Sequence, residues 1–254
     1  MNLATEIQTF LLVFARVVSV LWLFPLFSSR TVSVPFKAGM SLLIAYLLFD
    51  SMEDVRYVGT DEYSLVLFVM KEVFIGLVIG FSAKILFTAV TVAGEIIAIQ
   101  SGFAFARFMD PLSMTQVTVI EQFKNLLAMM LFLATDAHHI LIGALVASFK
   151  DLPLGSVKVQ QSLFEYFIGA TGKMFVTGFK IGAPVIVTLL FVEIALGMLS
   201  RMIPQINIFI EGVPLKILVT VVMLSFSLGV IVPGIVSIFK GMDGEMLKVF
   251  RMMV

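Results

Sequence analysis

A polar, proline-containing segment, Arg201–Lys216, separates two of the longest apolar runs in the chain. It contains Pro204, Pro214, the amides Gln205 and Asn207, a glycine and three charges. Proline lacks a backbone N–H, so the segment must satisfy its carbonyls in another way than an unbroken helix. At membrane depth, irregular backbone is tolerated only where it is buried in protein or lines water. The segment therefore predicts a turn between two long helices and argues against a simple membrane anchor.

Composition shows why that constraint matters. Of the 254 residues, 60% are hydrophobic and 13% are charged, and the mean hydropathy is +1.09. A soluble domain has about a quarter charged residues and fewer than half apolar ones. We therefore predict an integral membrane protein. The formal net charge of zero gives no electrostatic case for nucleic acid, and the lack of cysteine excludes disulfides and thiolate metal sites.

Seven apolar runs are joined by short polar links. A spanning helix needs about 20 apolar residues. Ile217–Phe239 meets that length without a charge, and Pro233 is expected to kink it. Three runs, Ala38–Phe49, Leu126–Thr135 and Ile140–Phe149, are too short to span a bilayer alone. We interpret them as arms of helical hairpins or halves of broken helices within one helical unit.

Glycines recur at four-residue spacing in two of the runs, as Gly76 with Gly80 and Gly178 with Gly182. This spacing places small residues on one helix face, which lets the backbones of two helices approach closely. The alternative is that glycine is merely tolerated in apolar helices. We expect at least some of these glycines to mark helix contacts.

Several charged side chains lie within or at the edges of the apolar runs. At a helix centre each costs about 2.5–3.5 kcal/mol, and none has an opposite charge three or four residues away. Their partners must lie on other helices, on other subunits or in water. Snorkelling to the membrane surface is the alternative, and it suits Arg16 and Lys173 best. The set is Arg16, Lys71, Glu72, Lys84, Glu95, Lys173, Lys180 and Glu193, of which Lys71, Glu72, Lys84, Glu95, Lys180 and Glu193 are candidates for contacts between subunits.

Asp136-Ala-His138-His139 is the histidine cluster of the sequence, and Asp136 and His139 can share one helix face. A metal site needs three or four ligands and supporting hydrogen bonds. No third candidate was apparent near these two residues in sequence. We therefore expect a polar hinge or hairpin tip here, with no metal and no cofactor.

Motifs for catalysis are missing from the sequence. Gly169-Ala-Thr-Gly-Lys173 has two residues between its glycines where a phosphate-binding loop has four, and Met174 stands in place of Ser or Thr. Neither a G-x-S-x-G nucleophile elbow nor an H-E-x-x-H zinc helix is present. An intramembrane enzyme built around Asp136 and His139 lacks a complete site. We predict that the protein is not an enzyme and has no catalytic residues.

A second polar break lies between Gly102 and Gln116. A proline within it biases the preceding residue away from helix, which predicts a loop or a helix end. Phenylalanine and methionine are deformable apolar fillers that can seal a pore and repack around varied cargo. We expect either a pore constriction or a plain connector. The candidate constriction residues are Phe105, Arg107, Phe108, Met109, Asp110 and Pro111.

The residues in and around the polar breaks resemble those of a known family. Through them the chain resembles the FliR/SctT family of flagellar biosynthesis proteins, which are subunits of the type III protein-export gate. The most specific element is the one between the last two long runs, and the earlier ones are individually weak. The elements are Pro25-Leu-Phe with Val34-Pro35, Glu72-Val-Phe-Ile-Gly76 through Gly80-Phe, Gly102 with Asp110-Pro111, Asp136-Ala-His-His with Leu152-Pro153-Leu-Gly155, and Pro204-Gln205-Ile-Asn207-Ile-Phe209 with Gly212-Val-Pro214-Leu-Lys216.

The resemblance implies an all-α fold of kinked helical hairpins. It implies one export-gate domain over 1–254, with a FliP-like part to about residue 160 and a FliQ-like hairpin over 161–254. In this family one FliR-type subunit closes a ring of FliP-type subunits, with FliQ-type subunits packed outside. The implied turn and assembly residues are Pro204, Gln205, Asn207, Phe209, Gly212, Pro214 and Lys216.

The resemblance also implies partners and a cellular location. The partners would be FliP-type and FliQ-type gate subunits, FlhB-type and FlhA-type export components, and unfolded secreted proteins as cargo, with no nucleic acid. The location would be the bacterial inner membrane, in the flagellar basal body, with several membrane passes. In the family a loop of this subunit blocks the pore, and Phe105–Pro111 matches that loop by position.

Two other functions stay open from the sequence. One is a virulence-type injectisome subunit, against which Gly212 favours the flagellar branch. The other is a secondary transporter that couples ions through Glu95, Glu193 or Lys180. A transporter of that kind predicts internal inverted symmetry, and the sequence shows no internal repeat.

Overall fold

The computed structural model describes residues 3–24, 27, 32–51, 62–103, 119–158, 160–203 and 208–253. Across these residues the secondary structure is helical and contains no strand, which confirms the expected all-α fold. The eight helices of this part of the chain are, in order, α1 (Leu3–Leu23), α2 (Val34–Ser51), α3 (Glu62–Ser101), α4 (Val119–Ala134), α5 (Ala137–Asp151), α6 (Gln161–Met202), α7 (Ile208–Lys240) and α8 (Met242–Arg251).

Four stretches of the described helices are long and apolar enough to cross a membrane. They lie in α1, in α3, in α6 and in α7 continuing into α8. A fifth exists if α4 and α5 together form one span. The short runs Leu126–Thr135 and Ile140–Phe149 lie on α4 and α5, which break at Asp136 as expected for the halves of a broken helix. The fold is that of an all-α integral membrane protein.

The break between the last two runs is shorter than the sequence predicts. Helix α6 continues to Met202 and α7 begins at Ile208, so Gly212–Lys216 is helical and Pro214 lies inside α7. Helix α7 also continues through Pro233. A proline removes one helical hydrogen bond, but in apolar surroundings a helix still satisfies the other backbone groups better than an open loop does. The proline therefore remains inside the helix.

The first of two compact units comprises Met1–Leu86, Asp136–Thr171 and Lys240–Val254. In it α1 packs against α2, and α5 packs against α8. The glycines of α3 confirm the predicted close helix approach. A Cβ at Gly76 would stand 2.6 Å from the carbonyl oxygen of Arg16, and one at Gly80 would stand 2.9 Å from that of Val20. Both positions need glycine because the α1 backbone fills the space.

The second compact unit comprises Phe87–Thr135 and Gly172–Phe239. Its buried cluster contains Ile97 of α3 with Val185, Ile186 and Leu189 of α6. An aromatic group joins three helices, since the ring centroids of Phe87, Phe132 and Phe239 lie 4.9–5.3 Å apart. A Cβ at Gly178 would stand 2.7 Å from the Ala89 carbonyl oxygen. Of the second glycine pair, Gly178 therefore marks a close helix contact, whereas a Cβ at Gly182 would meet Ile186 of its own helix.

Candidate functional site

A buried ion pair between Arg16 of α1 and Glu72 of α3 lies at the centre of the first unit. Arg16 Nε donates to Glu72 Oε2 at 2.5 Å, and both side chains are 0% exposed. Arg16 therefore does not snorkel to the membrane surface, and that alternative is wrong for this residue. The pair confirms the expectation that such charges find partners on other helices.

The other donors of Arg16 reach the end of α5. One terminal nitrogen donates to the Ser148 carbonyl at 2.8 Å and to the Ser148 hydroxyl at 3.2 Å, and the other donates to the Leu152 carbonyl at 3.0 Å. The guanidinium carbon also lies 4.2 Å from the centroid of the Phe149 ring. Carbonyls at a helix C-terminus lack helical partners and carry partial negative charge. The Ser148 carbonyl also accepts from the Leu152 N–H, so the fixed fork of guanidinium donors adds a second hydrogen bond there and supplies a partner to the Leu152 carbonyl.

Glu72 uses its second oxygen to hold the segment after α5. Its Oε1 accepts from the Gly155 N–H at 2.9 Å, while Lys71 Nζ donates to the Gly155 carbonyl at 2.8 Å. Gly155 has a φ of +74°, and the Phe68 ring occupies the space that a Cβ would need. The left-handed backbone and the close ring both require glycine at this position.

We call the set Arg16, Glu72, Ser148, Leu152 and Gly155 the arginine clamp. It joins α1, α3 and the connection between α5 and α6, all within the first unit. Both oxygens of Glu72 and all three guanidinium nitrogens already have partners. The clamp is therefore suited to holding three segments in one geometry.

A second ion pair closes the hairpin of α6 and α7 in the second unit. Lys216 Nζ lies 3.0 Å from Glu193 Oε1, and the two side chains are 17% and 57% exposed. Gly212, on the same helix turn as Lys216, is buried. Within the described residues, Lys216 therefore contacts the neighbouring helix of its own chain.

The remaining predicted charges lie in varied surroundings. Lys84 is exposed and Glu95 is half-buried, and each takes part in a further interaction. Lys173 and Lys180 are exposed on α6. Within the part of the chain that the structure describes, these two lysines form no ion pair.

Several predicted site residues lie outside the described residues. This applies to the whole candidate constriction and to three of the seven residues of the predicted C-terminal turn. Phe209 lies on α7 and Pro214 is exposed on the same helix. The roles of these residues stay predictions. Those outside the described residues are Phe105, Arg107, Phe108, Met109, Asp110, Pro111, Pro204, Gln205 and Asn207.

The Asp136 cluster forms the predicted hinge between α4 and α5. Asp136 has a φ of 54°, the only positive value among the non-glycine residues that the structure describes. The structure also brings His138 to Asp136 and His139, with one donor atom of each within 4.8 Å of the other two. The sequence interpretation missed His138 as a third member because positions 136 and 138 do not share a helix face.

Sequence reasoning also missed Lys124 of α4 as a buried charge. Its side chain is 1% exposed, and among the described residues its Nζ has no hydrogen-bond partner. The signal was present, because Lys124 lies only two residues before the apolar run Leu126–Thr135. A buried ammonium without a partner is costly, which makes this position informative about stability.

Known proteins with similar sequences identify the family. Residues 7–242 match the family described as "Bacterial export proteins, family 1". The flagellar biosynthetic protein FliR of Bacillus subtilis (strain 168) is 33% identical over 234 residues, which cover 91% of this chain and 90% of the relative. FliR of Escherichia coli (strain K12) is 32% identical over 225 residues, which cover 89% and 86%. This multi-pass membrane protein, in which α1 is locked to α3 by an internal ion pair, belongs to the FliR family of bacterial export proteins.

Proposed function

We propose that the protein is a non-enzymatic subunit of the flagellar type III protein export gate. It helps to form and close the channel through which unfolded flagellar proteins cross the bacterial inner membrane. The family match over residues 7–242, with flagellar FliR proteins as relatives, carries this proposal. The all-α fold with four or five potential spans agrees with it.

Within this function, we assign the chain to one export-gate domain with a FliP-like part to about residue 160 and a FliQ-like hairpin over 161–254. The partners are FliP-type and FliQ-type gate subunits with FlhB-type and FlhA-type components, in the flagellar basal body. The contact of Lys216 with Glu193 supports the hairpin part of this assignment. A pair that ties α6 to α7 lets the two helices dock on a partner as one piece.

The exposed lysines of α6 support an assembly larger than one chain. Lys180 lies near the middle of α6, a helix of 42 residues that contains an 18-residue stretch with a mean hydropathy of 2.2, and its side chain is exposed. Facing lipid at a helix centre, it would cost about 2.5–3.5 kcal/mol. Lys71, Glu72 and Glu193 have partners within the chain. The proposed contact between subunits therefore has its strongest support at Lys180.

The experiment that tests the function uses deletion of the gene in its own bacterium. We expect loss of motility and of exported flagellar proteins in the medium, while the same proteins accumulate in the cell. Reintroducing the gene should restore both. Normal export after deletion, with a defect in the uptake of a small solute, would overturn the proposal in favour of a transporter. Loss of virulence-factor secretion with normal motility would assign the chain to an injectisome.

The proposed constriction has a separate test. We expect replacement of Phe105, Phe108 and Met109 by glycine to make cells that express the assembled gate leak ions, because the apolar seal is removed. Leakage is measured as collapse of the membrane potential, reported by a voltage-sensitive dye. The matched control replaces Phe175, Phe179 and Met198, exposed apolar residues of α6, by alanine. Equal tightness in both strains would make Phe105–Pro111 a plain connector.

A further inference from the structure

Asp136, His138 and His139 bring three metal-ligating side chains together at the start of α5. Each offers one donor atom, and these atoms all lie within 4.8 Å of one another. Two imidazoles and one carboxylate match the donors that Zn²⁺ and neighbouring first-row metals take in proteins. We propose that these three residues form a binding site for a divalent transition metal of the Zn²⁺ type. The site is independent of the export function proposed above.

The backbone leaves the Asp136 carboxylate available for this role. Asp136 is the residue before α5, where an aspartate commonly accepts a hydrogen bond from the first helical N–H groups. Here its φ of 54° turns the side chain away, and it makes no capping hydrogen bond. Its backbone carbonyl accepts from the His139 N–H at 2.9 Å instead. The turn therefore holds the Asp136 side chain next to His139 without using its carboxylate.

The distances can be closed by side-chain rotation alone. Around a tetrahedral ion with bonds of about 2.0–2.2 Å, two donors lie about 3.3–3.6 Å apart. His139 Nδ1 and Asp136 Oδ1 already lie 3.9 Å apart, and their side chains are 70% and 73% exposed. The rings of His138 and His139 have centroids 4.2 Å apart. Small rotations of two exposed side chains toward the half-buried His138 would therefore bring the three donors to bonding distance.

At this turn, one electrostatic contribution opposes the binding of a cation and another favours it. The N-terminus of a helix carries partial positive charge and disfavours a cation. The Asp136 carboxylate offsets this charge at the same position, and neutral imidazoles are strong ligands that add no charge of their own. Three protein ligands leave at least one position open. Water or a donor from a neighbouring polypeptide would fill that position.

The test uses Co²⁺ as a spectroscopic probe for the Zn²⁺-type site. The full chain is purified in its membrane complex without a histidine tag, treated with a chelator and titrated with Co²⁺. We expect visible d–d bands that saturate at one Co²⁺ per copy of this chain and disappear on addition of Zn²⁺. Asp136→Asn keeps a residue type that accepts left-handed backbone. We expect this variant and His139→Ala each to lower the Co²⁺ affinity at least about tenfold, the lower end of the range typical for loss of a residue that only supports a ligand.

Asp151→Asn provides the matched control. It removes the exposed carboxylate of Asp151, at the end of α5 opposite to the cluster, and should leave the Co²⁺ affinity unchanged. Absence of saturable bands in the unsubstituted protein would overturn the proposal, whatever the variants do. Bands that persist with the same affinity in Asp136→Asn and His139→Ala would also overturn it, because the ion would then be bound elsewhere. In either case the cluster is a polar tip between helices.

Discussion

The two interhelical ion pairs of this protein differ in how completely they are enclosed. Arg16 and Glu72 are both 0% exposed, and each has hydrogen-bond partners beyond the other. Lys216 and Glu193 are 17% and 57% exposed and are joined by one contact. Removing one member of a buried pair leaves an unpaired charge in an apolar interior. When one member of an exposed pair is removed, water solvates the remaining charge, so the cost is small. The first pair therefore determines geometry, and the second adds only modest stability.

The largest effect is expected from breaking the arginine clamp. Glu72→Gln leaves the Arg16 charge buried and unpaired, which should lower the free energy of unfolding by about 3–5 kcal/mol. Denaturation of the purified complex in detergent, followed by circular dichroism, measures the change. The double variant Arg16→Met with Glu72→Met removes both charges and should recover part of the loss. A loss below about 1 kcal/mol in Glu72→Gln would place this pair in the same class as an exposed one.

The next largest effect is expected at the turn that Glu72 holds. Gly155→Ala forces a side chain into left-handed backbone, which costs about 1–2 kcal/mol, and displaces the Phe68 ring, which adds about 1–3 kcal/mol. Gly169→Ala is the control, because no atom lies within 4 Å of its Cβ position on α6. That variant should be neutral or more stable by about 0.5–1 kcal/mol. Equal thermal stability of the two variants would show that the Gly155 turn does not constrain the clamp.

A change in the opposite direction is expected at Lys124. Lys124→Met keeps the length of the side chain and removes a buried amine that has no partner among the described residues. We expect stabilisation by about 1–3 kcal/mol, the usual cost of an unsatisfied buried polar group. Lys158→Met, on an exposed lysine, should change stability by less than about 0.5 kcal/mol. A destabilised Lys124→Met would mean that the amine has a partner outside the described residues or in the assembled gate.

The smallest effect is expected at the exposed pair. Lys216→Met should cost less than about 1 kcal/mol, because Glu193 remains accessible to solvent or to a partner subunit. Lys216→Arg should retain the pair and serves as its control. The measurement is the same detergent denaturation as for Glu72→Gln. A cost for Lys216→Met as large as that for Glu72→Gln would contradict the idea that exposure separates the two pairs.

The features that sequence predicts well here are those that depend on neighbouring residues. Hydropathy predicts the all-α membrane fold, and glycine spacing predicts the contacts at Gly76 and Gly178. For the break at Arg201–Lys216, the sequence predicts a longer interruption of the helices than the structure has. A proline in the sequence indicates that one helical hydrogen bond is lost. It does not indicate how strongly apolar surroundings favour a helix over an open loop.

The pairing of charges could not be predicted in the same way. Arg16 and Glu72 are 56 residues apart, and rules for charge spacing extend over one helical turn. Sequence identified both residues as misplaced charges but did not pair them, and it treated Arg16 as a candidate for snorkelling. The burial of Lys124 was missed for the same reason, since it depends on packing between helices. The candidate constriction around Phe108 lies outside the described residues and stays a prediction.

The order of synthesis gives the arginine clamp a further consequence. The Leu152 carbonyl that completes the contacts of Arg16 follows it by 136 residues. At about 5–20 residues per second, a ribosome needs roughly 7–27 s to make that stretch. The counter-charge Glu72 is made earlier, 56 residues after Arg16, so the guanidinium first gains its ion pair and only later its carbonyl acceptors. Helix α1 therefore completes its hydrogen bonds only after the end of α5 has been synthesised.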